Sequence, residues 1–403
     1  MSFLETDVLV IGAGPAGSAA ARTAAQLGSR VVLVDRHRFP RDKVCGDALI
    51  PDALEALARL GLNARVLAEA RPLGSLRIYA PNGRCVELYA QMGCLPRSRL
   101  DELMREGAEQ AGATFLAPCA LAQALDRDGV IAGATFEPAA GGAPITVRAR
   151  LTLLATGAAA GPLLKFGVCE RRPASAIAAR VYVRAPQRFA VEHDHLCISY
   201  DRHVCPGYGW LFPGPDGVFN VGVGYFDDTK ARPPTTNIRR LFDRFVQTFA
   251  PARALLAVAT PLTDLRGAPL RTALAGAHLS RPGLLVIGEA AGTTYSFSGE
   301  GIGKAIASGI VAGEIAARAP RDTQAAIDAA RTYAACIRSD FAERFRAYKI
   351  AQGWLAYPAV LGFLARRAAA GGYVRQQLQA LLTETGDPSE LFSVAGLLKS
   401  CLR

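Results

Sequence analysis

The sequence lacks several features that would assign it to a class at once. The cysteines are nine, an odd number, scattered and without a C-x-x-C pair. This argues against a disulfide scaffold and a dithiol redox motif, and for reduced, mostly buried thiols in a cytoplasmic chain. Met1–Thr6 has no basic region ahead of an apolar run, so a secretory leader is not expected. The apolar stretch Trp354–Ala365, followed by Arg366-Arg367, is too short to span a bilayer, which needs about 20 residues. It reads as a helix packed on the protein, with a cap over a cavity or peripheral contact with a membrane as alternatives. No basic run carries interleaved aromatics, so nucleic acid is the last explanation for a net charge of +11. A solvated arginine-rich surface is the commonest one. There is no internal repeat and no low-complexity linker. Half of the 403 residues are hydrophobic and a fifth are charged, an ordinary globular composition with room for one large or two ordinary cores.

What is present is glycine in a demanding pattern. Asp7-Val8-Leu9-Val10-Ile11 runs into Gly12-Ala13-Gly14-Pro15-Ala16-Gly17, and an alanine-rich segment follows. This is strand, tight turn and helix. Gly12 permits the turn, Gly14 leaves the backbone open to a pyrophosphate, and Gly17 lets helix and strand approach closely. A second apolar run, Val31–Val34, ends in Asp35, about 20 residues beyond the glycines, where an acceptor for ribose hydroxyls belongs.

The α/β pattern returns only near the end. Gly283–Ile287 is an apolar strand, Gly288-Glu289-Ala290-Ala291-Gly292 a small-residue turn, and Gly299-Glu300-Gly301-Ile302-Gly303 opens a helix to about Ala317. Such a helix start aims its positive end at an electron-rich ligand atom. Between the two halves lie a β-hairpin over 73–92 with the turn Pro81-Asn82-Gly83, a helix from Arg97, and a candidate third parallel strand at Thr114–Leu116. A mostly β region follows from 174 to 275, interrupted by one helix near 236–249. The remainder reads as helices near 323–350, 353–367, 373–384 and 389–401. The order α/β, β, α/β, then helices makes the nucleotide domain discontinuous, with the β region inserted into it.

Gly12–Gly17 with Asp35, Arg97 ahead of Leu100-Asp101, and Gly288–Gly292 resemble the FAD-binding set of the para-hydroxybenzoate hydroxylase-like flavoproteins. Phe39–Gly46, Tyr208–Pro213 and Ser298–Ile302 are similar to signature segments of the geranylgeranyl reductase family within it. The resemblance spans roughly residues 5–315. It implies a Rossmann-type (GR2-like) α/β FAD-binding domain over 1–72, 94–172 and 276–320. An inserted antiparallel β-sheet substrate domain over 73–93 and 173–275 and a helical C-terminal region over 321–403 complete the expected fold. It implies an FAD-dependent oxidoreductase that reduces C=C bonds of a hydrophobic, isoprenoid-like substrate. NAD(P)H, another external reductant or a redox partner supplies the electrons, and peripheral membrane contact is compatible. A flavin-dependent monooxygenase or halogenase is the alternative, and a prenyl-binding protein without catalysis a remote one.

The cofactor residues so implied are Gly12, Gly14, Ala16, Gly17, Asp35, Arg36, Lys43, Cys45, Gly46, Arg97, Gly157, Gly288, Glu289, Gly299, Gly301 and Ile302. Cys45, Tyr208 and Trp210 are the candidates for the substrate cavity, with Tyr208, Trp210 and Phe212 alternating on one strand face. Three departures from the family pattern stand out. Glu289 replaces an Asp, Thr156-Gly157 replaces an Asp-Gly pair tied to FAD and NAD(P)H handling, and Ser296 replaces a proline, which loosens the loop before Gly299. No metal is expected. Glu192-His193-Asp194-His195, Cys197, His203 and Cys205 match no closed ligand spacing and read as exposed loop residues flanking a strand. No general acid is evident.

Overall fold

A computed structural model describes residues 2–226, 237–319 and 322–402. Two sheets organise it. The first has eight strands. Its parallel centre runs in the order Leu284–Val286, Ile145–Leu154, Ser2–Ile11, Val31–Val34 and Thr114–Leu116. Strands buried on both faces are continuous apolar runs, and Val8–Val10 and Leu284–Ile287 are almost wholly inaccessible. An antiparallel pair, Cys119–Arg127 and Val130–Pro138, extends Ile145–Leu154.

Helix Pro15–Gln26 and helix Ile302–Arg318 lie against each other on this sheet because small residues line the contact. A side chain on Gly309 would stand 2.3 Å from the Ala16 carbonyl oxygen, and one on Gly313 would stand 2.7 Å from that of Ala20. Chain segments nearly 300 residues apart are thus joined at backbone distance.

The second sheet has nine strands. Ala176–Arg184, Val218–Phe226, Gly207–Pro213 and Leu196–Ser199 are successive antiparallel neighbours. The hairpin Arg71–Tyr79 and Cys85–Cys94 continues this sheet, and it does so by a parallel pairing of Leu76–Tyr79 with Leu196–Ser199. The sheet is therefore not purely antiparallel, because the hairpin and Leu196–Ser199 come from separate passages of the chain. The short strand Ala48–Leu49 adds to the hairpin's far edge.

The helix expected near 236–249 is Ile238–Thr248, and a second helix that was not expected, Ala250–Val258, follows it. Position 236 lies outside the described residues, as do 320 and 321, where the α/β portion was expected to give way to the tail. Phe249 is extended between the two helices and Pro251 sits in the first turn of the second, where proline is tolerated. The tail contains helices Thr323–Trp354, Pro358–Ala369, Tyr373–Leu382 and Val394–Leu402. The helix expected over 353–367 thus begins only at Pro358, after a break beyond Trp354. Among the described residues no helix is long and apolar enough to cross a membrane.

Candidate functional site

One cavity of about 800 Å³ runs from the first glycine turn to the second sheet. All the residues assigned in the sequence to the cofactor or the substrate cavity line it except Gly17 and Gly288. Those two serve packing instead. A Cβ on Gly17 would overlap the Gly12 carbonyl oxygen at 1.8 Å, and one on Gly288, at φ +61°, would meet Ala16 Cβ at 2.5 Å. Gly12, at φ +105°, stands against the Ala155 carbonyl, so its glycine is demanded by both conformation and space.

At the end near the N-terminal glycines, a Cβ on Gly14 would meet only the Arg41 guanidinium, at 3.5 Å, so the turn presents bare backbone to the cavity. Asp35 accepts from the Ala13 and His37 N–H groups, both at 2.8 Å, which fixes the carboxylate beside the turn. Arg97 is held by a bidentate pair with Asp101 at 2.8 and 2.9 Å, and Arg41 reaches the same carboxylate at 2.9 Å. Arg99, by contrast, pairs with Glu69 on the surface. Lys43 does not stand apart as an anion ligand. It lies 3.5 Å from Glu289 Oε2. Two of the three departures in sequence thereby meet in space, since Gly157 faces the same carboxylate oxygen.

Two buried polar atoms in this wall, Glu289 Oε1 and Thr156 Oγ1, have no hydrogen-bond partner among the described residues. A buried acceptor and hydroxyl left open in this way require a ligand or water. An open glycine cradle, a fixed ribose acceptor and these two orphaned groups fit a dinucleotide such as FAD.

The loop before Gly299 is not loosened by Ser296. Thr293–Ser296 are buried, Tyr295 packs on Phe345 and Tyr348, and the Gly299 N–H donates to the Tyr295 carbonyl at 3.0 Å. The aromatic strand closes on it. Tyr208 Oη donates to the Ser298 carbonyl at 2.5 Å, and a Cβ on Gly299 would collide with that hydroxyl. Trp210 Nε1 donates to Asn220 Oδ1 at 2.8 Å, and Asn220 Nδ2 donates to the Cys45 carbonyl at 2.6 Å and to Asp47 Oδ2 at 2.7 Å. The polar ends of Tyr208 and Trp210 are thus committed to holding loops, and their rings face the cavity with Phe212 and Phe226.

Asp47 was not singled out in the sequence. It is wholly inaccessible, has φ +67°, and accepts from Tyr182 Oη at 2.5 Å, Asn220 Nδ2 and the Arg97 N–H. Burial pushes its carboxyl up to about 6, against the pull of those donors and of the Arg180 and Arg97 guanidinia. Its neighbour Cys45 has its thiol raised by burial, so it stays protonated and is no thiolate nucleophile. Glu300, also passed over, lines the cavity between Gly299 and Gly301. Burial pushes its carboxyl up to about 8, with the charge of Asp52 adding to the effect. The signal in the sequence was position alone: Asp47 adjoins the marked segment Phe39–Gly46, and Glu300 lies inside Ser298–Ile302.

The far arm of the cavity is apolar. Leu76, Ile78, Leu88, Leu196 and Ile198 come from the second sheet, and Leu378, Leu381 and Leu382 from the tail helix Tyr373–Leu382. No residue of Trp354–Ala365 lines it. That stretch packs elsewhere, with Asn82 Nδ2 donating to the Gly362 carbonyl at 3.0 Å. Among the described residues no group of His, Cys, Asp and Glu could hold a metal ion. His195 and Cys197 are buried rather than exposed, His195 Nε2 lying 3.2 Å from Arg77 Nη1.

Comparison with known proteins decides the family. The family model described as "FAD binding domain" matches residues 5–310. The chain belongs to this family. The flavoprotein is 33% identical over 322 residues to the menaquinone reductase of Mycolicibacterium smegmatis, covering 77% of this chain and 76% of that one. It is 28% identical over 371 residues to digeranylgeranylglycerophospholipid reductase 2 of Methanosphaera stadtmanae, covering 88% of each. A solved geranylgeranyl bacteriochlorophyll reductase-like protein of Thermoplasma acidophilum shares the fold with a TM-score of 0.79 at 22% identity, over 100% of this chain and 97% of that one. The resemblance to geranylgeranyl reductases holds, the cofactor is FAD, and the protein is an FAD-dependent oxidoreductase.

Proposed function

We propose that this flavoprotein reduces C=C bonds in the isoprenoid chain of a prenylated quinone or lipid. The observation that carries the reading is the continuity of the cavity. The glycine clamp and the leucine-lined arm are two ends of one space, so an apolar chain threaded along Leu76, Ile78, Ile198 and Leu381 would reach the Gly299–Gly301 end. The names of the relatives, a menaquinone reductase and a prenylated-phospholipid reductase, agree with such a substrate. The chemistry that FAD supplies when bound is hydride donation.

The chain's own residues divide the remaining work. Gly14, Asp35, Thr156 and Glu289 would hold the dinucleotide. Tyr208, Trp210 and Phe212 would wall the reacting end and exclude water. The sheet residues and the tail helix would grip the isoprenoid, which places substrate binding in the inserted β region and FAD binding in the discontinuous α/β part. An external reductant, NAD(P)H or a redox partner, would restore the electrons. Peripheral membrane contact belongs to the same reading, supported by the exposed Tyr357, Val394 and Leu398 of the tail.

The test is anaerobic incubation of chemically reduced enzyme with a polyprenyl quinone, followed by mass analysis. The expected product gains two hydrogen atoms per reduced double bond. Strict dependence on O₂, with a product that gains oxygen or halogen, would overturn the reading in favour of a monooxygenase or halogenase.

A further inference from the structure

We propose that Glu300 is the proton donor of this site, the group that delivers H⁺ to the double bond at the Gly299–Gly301 end of the cavity. The inference rests on the reductase reading above. Saturating a C=C bond breaks its π bond and forms two C–H bonds. One carbon receives hydride, with both electrons coming from reduced FAD, which is oxidised. The other carbon must receive a proton. In this assignment the proton leaves the Glu300 carboxyl, the residue is left as a carboxylate, and solvent restores its proton before the next turnover. The external reductant restores FAD.

Geometry selects Glu300 by what its neighbours are already doing. Tyr208 Oη spends its proton on the Ser298 carbonyl. Asp47 accepts three hydrogen bonds and carries no free oxygen toward substrate. Glu384 is taken by Lys304 at 3.0 Å and Arg344 at 3.0 Å. Glu300 is different. Its Oε1 accepts from the Gly303 N–H at 3.1 Å, which ties the side chain to the first turn of helix Ile302–Arg318. Its other oxygen has no hydrogen bond among the described residues, is not among the buried orphaned atoms, and belongs to a residue that lines the cavity.

Four ionisable groups surround it. Asp52 comes from helix Pro51–Arg59, Glu384 from just beyond helix Tyr373–Leu382, Lys304 from helix Ile302–Arg318, which begins two residues after Glu300, and Tyr208 from the aromatic strand. Burial and the two acids favour the neutral carboxyl, the Gly303 N–H and Lys304 oppose it, and the balance leaves the proton on up to about pH 8. The carboxyl is therefore loaded at neutral pH. Activity that depends on it is present below about pH 8 and falls as pH rises through that value.

Glu300→Gln keeps an acceptor for the Gly303 N–H and removes the transferable proton. The experiment compares holoenzymes of wild type, Glu300→Gln and Glu300→Asp, with flavin absorbance as the check on folding and FAD content. Glu300→Gln is expected to lower kcat by about 10²–10⁴-fold at pH 7 with little change in KM. It should also abolish an alkaline limb near pH 8, which Glu300→Asp retains in shifted form. A second readout needs no turnover. Difference infrared titration of wild type should show a protonated-carboxyl C=O band lost as pH rises through about 8, and that band should be missing in Glu300→Gln. If wild type reduces the polyprenyl quinone and Glu300→Gln does so within about threefold, the proposal is wrong while the reductase reading stands. A titrating band that persists in Glu300→Gln overturns it too. If wild type reduces nothing anaerobically, the reading falls and this assignment falls with it.

Discussion

The Lys304 ammonium joins helix Ile302–Arg318, which follows the second glycine segment, to helix Pro51–Arg59 and to the tail, and removing it should destabilise the whole molecule. Nζ lies 2.7 Å from Asp52 Oδ1 and 3.0 Å from Glu384 Oε2, and the three side chains are only 10–12% exposed. Burial works against the lysine's charge, but the two carboxylates outweigh it and hold its pKa above the ordinary value. In Lys304→Met the apolar stem is kept and the charge is lost. Glu384 retains Arg344 as a partner, whereas Asp52, whose other oxygen Oδ2 is already unpartnered, loses its only cation among the described residues. Removing one member of a buried ionic cluster costs about 3–5 kcal/mol, and the surviving Arg344 contact argues for the lower end, about 3 kcal/mol. That is a large share of a typical total stability of about 5–15 kcal/mol. Urea denaturation followed by tryptophan fluorescence measures it, with Trp354 reporting on the tail. Glu384, whose carboxyl burial already raises, takes up a proton at higher pH once the lysine is gone. The deficit should therefore shrink as pH falls. The double variant with Asp52→Asn should recover much of the loss. A loss under about 1 kcal/mol would refute the argument, because it would equate the cluster with an exposed ion pair.

The glycines of the first turn should separate into two classes. Gly17→Ala forces a Cβ onto the Gly12 carbonyl and should cost about 1–3 kcal/mol in denaturation, whereas Gly14→Ala should leave stability nearly unchanged and lower FAD content. Asp47, held near 6 in the folded chain, contributes stability below the ordinary carboxylate pKa and loses it as pH rises through about 6. The stability of wild type relative to Asp47→Asn should therefore fall by about 2 kcal/mol between pH 4 and pH 7, measured by urea titration at both values. Trp210→Phe strips the donor from Asn220 Oδ1 and should cost about 1–3 kcal/mol, with a loosened Cys45 loop seen as faster hydrogen exchange at residues 44–47.

The glycine clamp was legible because its requirements are local. Gly12 needs a positive φ, Gly14 an open face, and each adjoins an apolar strand whose pattern is unmistakable. The tail helices were legible for the same reason, from periodicity. The Cys45–Asn220–Trp210 tie was not, because it joins residues about 175 positions apart and has no pattern of its own. Asp47 and Glu300 take their character from burial and from neighbours such as Asp52, which only the folded chain assembles. His195 misled for a related reason. It sits in a polar run, yet Arg77 from the distant hairpin makes a buried place for it. The parallel pairing of Leu76–Tyr79 with Leu196–Ser199 was equally hidden, since two apolar strands state their existence in sequence but not their partners.

The position of Leu378, Leu381 and Leu382 in the cavity wall has a consequence for how the protein is made. Synthesis delivers the N-terminal glycine turn first, the second turn some 280 residues later, and these leucines last. At about 5–20 residues per second, several seconds separate the completion of the cofactor clamp from the arrival of the helix that seals the apolar arm. During that interval a nascent chain exposes an open greasy trough formed by Leu76, Ile78, Leu88 and Ile198. In the proposed reading, the surface that grips the substrate is covered only when this last helix arrives, and the tail acts toward it as a built-in chaperone does toward a client.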